Sequence, residues 1–190
     1  MRRFLRKSTI EREPLPVTMT GVRMGERVLQ IGAADTRLTA LLAAKPGLSG
    51  HAAVVVADEG AAGRARATAA DAGLLLDVQV APLPALPLAD GSFDVVILHD
   101  AAATLSGLDA ASRARAGAEV HRVLRAGGRL VALEAGTPGG LRGMLRRAPA
   151  VDPAYEAGGG TAALLEAAGF RAVRLLADRE GYRFFEGLKT

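Results

Sequence analysis

The sequence predicts an α/β fold in which one mostly parallel sheet carries helices on both faces. Three observations lead there. Short runs rich in Val, Ile and Leu recur along the chain. The stretches between them place apolar residues at helical spacing, so strand and helix alternate as in βαβ units. The run FDVVIL at 93–98 is apolar on both faces, as a central strand covered by helices on either side must be.

The elements follow in order. Pro14 and Pro16 favour an extended start, because each disfavours helix in the residue before it. Residues 27–31 (RVLQI) form a first strand ending at Gly32, and DTRLTALLAAK then sets Leu38, Leu41 and Leu42 at helical spacing behind Asp35 as N-cap. A second strand, 52–57 (AAVVVA), ends at Asp58 and is followed by a helix to about Ala72, stopped by Gly73. Residues 76–80 (LDVQV) and 93–98 give the third and fourth strands. A helix over 108–125 carries Leu108, Ala111, Ala118, Val123 and Leu124, and Gly127 and Gly128 end it before the fifth strand, 129–134 (RLVALE). From 136 to 160 the composition turns to Gly, Pro and Arg, a long connection with one short helix at 140–147. A helix at 161–168 ends at Gly169, and 170–177 and 182–188 form an antiparallel hairpin across a turn at 178–181. The expected organisation is a basic arm, 1–20, followed by one domain, 21–190.

Composition narrows the function classes. The 190 residues suit one domain, and 49% hydrophobic residues allow a sizeable core. Aromatics are only 4% with no Trp, so stacking platforms for nucleic-acid bases are scarce and no nucleic-acid partner is expected. Zero Cys removes disulfides, thiolate metal sites and Cys nucleophiles. His51, His99 and His121 lack the i, i+4 spacing of a helical metal site, so no metal is expected. No apolar run reaches the roughly 18 residues of a membrane span, and MRRFLRKSTIERE lacks the apolar stretch of a signal peptide, so a cytoplasmic location is expected.

The formal charge is +4, with 24 Lys plus Arg against 20 Asp plus Glu. It clusters at Arg2, Arg3, Arg6 and Lys7, and again at Arg142, Arg146 and Arg147. In a helix both MRRFLRK and LRGMLRR would be amphipathic. They read either as solvated faces or as a peripheral contact for an anionic membrane or an acidic protein partner.

In an open parallel sheet, ligands bind beyond the carboxyl ends of the strands where strand order reverses. That singles out Gly32 to Asp35, Asp58 with Glu59, Ala81 to Leu83, and His99 with Asp100. Gly32 lets a ligand approach the backbone closely, with free N–H donors at the helix start beyond it. Asp58 is the residue type that accepts hydrogen bonds from ribose hydroxyls, and equally the type that caps a helix. His99 and Asp100 are the candidate catalytic residues: an imidazole near neutrality accepts a proton from a hydroxyl or an acidic carbon. His99 also reads as a pocket-lining or turn-capping residue. His51 reads as a strand-entry residue and His121 as a helix-surface one.

The segments LPLADGSFDVVILHD (86–100) and EVHRVLRAGGRLVALE (119–134), with the closing GFRAVRLLADREGYRFFEGLK, resemble the class I S-adenosylmethionine-dependent methyltransferases, particularly their small-molecule branch. The resemblance covers about residues 20–190. It implies a Rossmann-like methyltransferase fold, a seven-stranded sheet in the order 3-2-1-4-5-7-6 with an antiparallel last strand. It further implies S-adenosylmethionine as cofactor and methyl transfer to a small or lipophilic acceptor. The implied cofactor residues are Gln30, Gly32, Ala33, Asp58, Glu59, Leu83 and His99. In that arrangement Asp58 holds the ribose, the adenine lies between Glu59 and Leu83, and the methionine end lies near His99. Of the family pattern D-x-G-x-G-x-G the chain keeps only Gly32, with Gln30, Ala34 and Thr36 at the other places, and Pro82 stands where an adenine-binding Asp is common. These departures leave a second reading open, a non-catalytic methyltransferase-fold protein that binds a partner or a membrane surface. A nicotinamide enzyme is disfavoured because G-x-G-x-x-G is absent at 32–37 and Tyr155 is followed four residues later by Gly159 rather than Lys. No P-loop pattern occurs.

Overall fold

The computed structural model describes residues 13–100, 104–135 and 152–190. Its seven strands are β1 (Arg27–Ile31), β2 (His51–Val56), β3 (Asp77–Val80), β4 (Phe93–Asp100), β5 (Leu124–Ala135), β6 (Arg171–Arg179) and β7 (Tyr182–Leu188). The described helices are α1 (Leu15–Thr20), α2 (Thr36–Ala44), α3 (Glu59–Asp71), α4 (Ala110–Val123), α5 (Pro153–Ala157) and α6 (Gly160–Ala167). The sheet order is β3-β2-β1-β4-β5-β7-β6, as expected. β1 to β5 run parallel and β7 is antiparallel to both its neighbours.

The β-branched strands bury both faces. One face of β4, with Val96 and Leu98, packs on α4, on Leu165 of α6 and on Leu83 and Leu86 before the strand. The opposite face, with Val95 and Ile97, packs on Val17 of α1, Leu38 and Leu42 of α2 and Phe184 of β7. α3 covers Val54 and Val56 of β2 through Ala62 and Ala65. Asp35, Asp58 and Asp109 cap α2, α3 and α4, each accepting a hydrogen bond from the N–H three residues on.

The physical content of the two family-like segments is a clamp. Arg122 of α4 reaches the loop before β4, donating to the carbonyls of Leu86 and Leu88 at 3.1 and 2.7 Å and pairing with Asp90 at 2.6 Å. Glu119, one turn earlier, pairs with Arg122 and accepts from the Leu86 N–H at 2.8 Å. The loop geometry that feeds β4 is therefore set by the helix that follows it.

Several expectations are corrected. The segment at Pro14–Pro16 is not extended: Leu15–Thr20 is helical, with Pro14 as N-cap and Pro16 in the first turn. The first-turn N–H groups of a helix lack partners anyway, so proline is tolerated there. α4 ends at Val123 and β5 starts at Leu124, so Gly127 and Gly128 lie inside the strand and not in a turn. They mark a register shift between Phe93 and Val95. A Cβ on Gly128 would lie 2.9 Å from the Arg125 carbonyl oxygen and 3.0 Å from that of Asp94, which is why the bulge needs glycine. α5 occupies part of the connection expected to be irregular, while the expected helix at 140–147 lies outside the described residues. The closing hairpin turns in two residues, Glu180 and Gly181, both at positive φ (55° and 77°), and β6 extends to Arg179 as a result.

Candidate functional site

Strand order reverses between β1 and β4, since the chain leaves β1 towards β2 and β3 and returns on the other side. The carboxyl ends of β2, β1 and β4 therefore bring Asp58, Gly32 and His99 to one edge of the sheet. Exposed carboxylates collect there: Asp35 after β1, Asp58 and Glu59 after β2.

Gly32 sits at φ +82°, and a Cβ at that position would lie 2.8 Å from the His99 carbonyl oxygen and 3.4 Å from Thr104 Oγ1. The close approach that requires glycine is thus made first by the end of β4. Gln30 is buried, and its amide donates to the Gly32 carbonyl at 2.7 Å and to Thr39 Oγ1 at 3.0 Å, bracing the turn from beneath. A carboxylate in its place could donate neither bond. Ala33 packs into the α3 core and Leu83 into the α4 side, so both form apolar walls.

Asp58 does serve as a helix cap, accepting the Ala61 N–H on Oδ1 at 2.8 Å, and it stays exposed. A carboxylate has a second oxygen with further lone pairs, so capping and ligand binding are compatible. Glu59 pairs with Arg66 at 3.1 Å on the surface.

His99 and Asp100 diverge. Asp100 accepts the N–H of Leu105 at 2.6 Å and of Ser106 at 3.2 Å, so both oxygens stabilise the turn that follows β4. His99 is only 1% exposed, and neither Nδ1 nor Nε2 has a hydrogen-bond partner among the described residues. Burial holds its pKa below the ordinary imidazole value, against the pull of Asp35 and Asp100. The ring is therefore neutral near pH 7, with one free N–H and one free lone pair.

A second polar cluster was not anticipated from the sequence. Glu134 lies opposite Asp100 in the β4–β5 register and is 7% exposed. Thr161 of α6 donates to Glu134 Oε1, and Tyr155 Oη lies 2.5 Å from the Thr161 hydroxyl. Arg183 Nη2 sits 2.8 Å from Glu134 Oε2 as an ion pair, although the angle is too poor for a hydrogen bond. Burial, reinforced by Asp100 and Glu156, pushes the Glu134 pKa up despite Thr161 and Arg183. Arg113 stacks 4.2 Å over the Tyr155 ring and pairs with Asp152 at 3.1 Å, pinning α5 to α4. The only signal in the sequence was a Glu closing an apolar strand.

The methyltransferase-domain family model matches residues 29–132, more than half of the chain. The chain belongs to this methyltransferase family. The ubiquinone/menaquinone biosynthesis C-methyltransferase UbiE of Teredinibacter turnerae is 33% identical over 138 residues, covering 72% of this chain and 51% of that protein. An uncharacterized protein of Mycobacterium tuberculosis is 34% identical over 132 residues, covering 70% of this chain and 45% of its own. The chain thus spans about half the length of these relatives, or less. A methyltransferase structure from Aquifex aeolicus superposes with a TM-score of 0.69 at 20% identity, covering 90% of this chain and 85% of that one. That likeness establishes the shared fold.

The residues present fit the family's cofactor in kind. The ribose hydroxyls of S-adenosylmethionine call for a carboxylate acceptor of the kind that Asp58, exposed and with a second oxygen beyond its cap bond, provides, and a cationic sulfonium suits an edge carrying Asp35, Asp58 and Glu59. Gly32 keeps the turn clear of a side chain, and Ala33 and Leu83 supply apolar walls. Pro82, exposed before Leu83, has no side-chain acceptor for the adenine amino group.

Proposed function

We propose that the protein is an S-adenosylmethionine-dependent methyltransferase acting on a small or lipophilic acceptor. One observation carries the reading: in a chain of this family, Gly32, exposed Asp58 and buried His99 converge at the edge where strand order reverses. When bound, the cofactor supplies an electrophilic methyl group with a neutral leaving group. The chain then needs chiefly to bind, orient and exclude water, because in-line positioning supplies much of the rate. Asp58 would hold the ribose and cap α3 at once. Gln30 would keep the Gly32 turn in shape, and the Arg122 clamp would fix the entry to β4. Asp100, both of whose oxygens are taken by the N–H groups of Leu105 and Ser106, would hold the turn after β4 and would not take part in proton transfer.

The alternative of a non-catalytic partner-binding protein rested on the departures in the cofactor loop and on Arg2, Arg3, Arg6, Lys7, Arg142, Arg146 and Arg147. Those cations lie outside the described residues. A peripheral contact with anionic membrane or an acidic protein therefore stands as a proposal, tested by co-sedimentation with anionic and neutral vesicles. No described helix is long and apolar enough to cross a membrane.

Calorimetric titration with S-adenosylmethionine and S-adenosylhomocysteine tests the main reading. One-to-one binding of both is expected. Absence of binding by either would reject a methyl-transfer function.

A further inference from the structure

The most exposed large apolar residues gather at one place. Met24, Leu48 and Leu75 are 81%, 97% and 85% exposed, more than any other large apolar side chain among the described residues. Leu48 and Leu75 line a hollow of about 340 Å³ at the amino edge of the sheet, walled by Ala43 and Ala44 at the end of α2, Ala52 of β2 and Leu74 after α3. Met24 joins its rim: its Cγ is 3.5 Å from where a Cβ on Gly47, another wall residue, would lie. Single exposed leucines are ordinary, but a contiguous apolar patch around a hollow marks a surface that something covers.

Two features point to what covers it. The first is where the chain enters the fold. Glu13, the first described residue, pairs with Lys45 Nζ at 2.8 Å. Lys45 is the C-cap of α2, directly after Ala44 and two residues before Gly47, so residues 1–12 join the fold beside the hollow. An extended chain spans about 3.3–3.6 Å per residue, so Phe4 and Leu5 are within about 30 Å of chain from that point. The second is charge. α2 and α3 both end at the hollow and neither carries a basic residue in its last turn, whereas α4 ends with His121 and Arg122 and has Lys189 Nζ on their carbonyls. Lys45 is committed to Glu13, and the last residue of α3 is the exposed Asp71. The carbonyl ends of helices favour cations, and MRRFLRK sets Arg2, Arg3, Arg6 and Lys7 around Phe4 and Leu5.

We propose that the hollow is the docking site of the chain's own amino-terminal arm, which seats Phe4 and Leu5 among Leu48, Leu74 and Leu75 and lays its cations over the carbonyl ends of α2 and α3. Apolar surface on both sides leaves water together, and the cations meet the two helix ends that have none of their own. The inference does not depend on the methyl-transfer reading, since the hollow lies at the opposite edge of the sheet from Gly32 and Asp58.

The chain contains no Cys, so Ser8→Cys carries a single nitroxide label on the arm of the full chain. The readout is paramagnetic broadening of methyl NMR signals, compared between oxidised and reduced label. Broadening is expected at Leu74 and Leu75, on the α3 side of the hollow. It should be lost when Phe4→Ser and Leu5→Ser are added together, and the Leu74 broadening should be lost when Leu75→Ser is added alone. The tether to Glu13 is the same in all three chains, so the arm's nearness to Lys45 cannot produce the difference. Leu75 is exposed, and Phe4 and Leu5 lie outside the described residues, so the β4 amide signals should stay unchanged and show that each variant is folded. Absence of broadening in the labelled parent, or equal broadening in the Ser variants, overturns the proposal. Broadening that weakens on dilution, or that passes from labelled to unlabelled chains in a mixture, also overturns it and gives the hollow to a second copy.

Discussion

Replacing Gly32 by Ala isolates the contact between the first turn and the end of β4. The position has φ +82°, where an L side chain carries a penalty of about 1–2 kcal/mol. The new Cβ would also sit 2.8 Å from the His99 carbonyl oxygen, a backbone atom that cannot swing aside, and overpacking of this kind costs about 1–3 kcal/mol. Together they predict a loss of about 2–5 kcal/mol, or a fall in Tm of about 4–20 °C for a domain of this size. Gly63→Ala is the control, since Gly63 lies mid-helix in α3 with nothing within 4 Å of a Cβ. It should stabilise by about 0.5–1 kcal/mol. Thermal and urea denaturation of the two variants beside wild type provide the measurement. If Gly32→Ala shifts Tm by less than about 2 °C, or both variants shift alike, the turn does not press on β4 as described.

Four further outcomes follow from the same geometry. Asp58→Asn keeps a good N-cap and removes the charge, so Tm should hold while S-adenosylhomocysteine binds about 10- to 100-fold more weakly by calorimetry; unchanged affinity would remove Asp58 from the site. Because burial lowers the His99 pKa, the unfolded chain binds its proton more readily, so His99 favours folding fully above about pH 6.5 and loses that contribution as pH falls below it. Wild type should therefore lose stability relative to His99→Asn between pH 7 and 5, and parallel curves would contradict this. Glu134 has the opposite sign: its raised pKa means the charged form is disfavoured in the fold, so Glu134→Gln should gain on wild type as pH rises from 4 to 7, checked by urea midpoints. Arg122→Ala should cost about 1.5–3 kcal/mol and raise amide exchange at Leu86, while unchanged exchange there would show that the clamp does not hold the loop.

Much of the fold was legible because it is written in local pattern. Strands buried on both faces read as unbroken Val, Ile and Leu runs, and Asp35 announces α2 by its own chemistry. Readings failed where a rule about helix interiors met the start of a helix, as at Pro14–Pro16, or where glycine served a bulge instead of a stop, as at Gly127 and Gly128. At the site, Gly32, Asp58 and His99 could be singled out because each lies at or just beyond the carboxyl end of a strand. What each touches depended on distant segments. Nothing near Asp100 in sequence shows that Leu105 and Ser106 take both its oxygens, and nothing near Glu134 shows that α6 and β7 will bury it.

The central claim is one of place, that the ligand edge of this chain is the carboxyl edge of β1, β2 and β4. The most direct measurement is an amide and methyl NMR titration with S-adenosylhomocysteine, with changes mapped on the structure. The account predicts saturable changes centred on Gly32, Ala33, Asp58 and Leu83. It predicts none at the hollow on the opposite edge, lined by Leu48, His51 and Leu75. Changes centred on that opposite edge, or no saturable change at all, would contradict it.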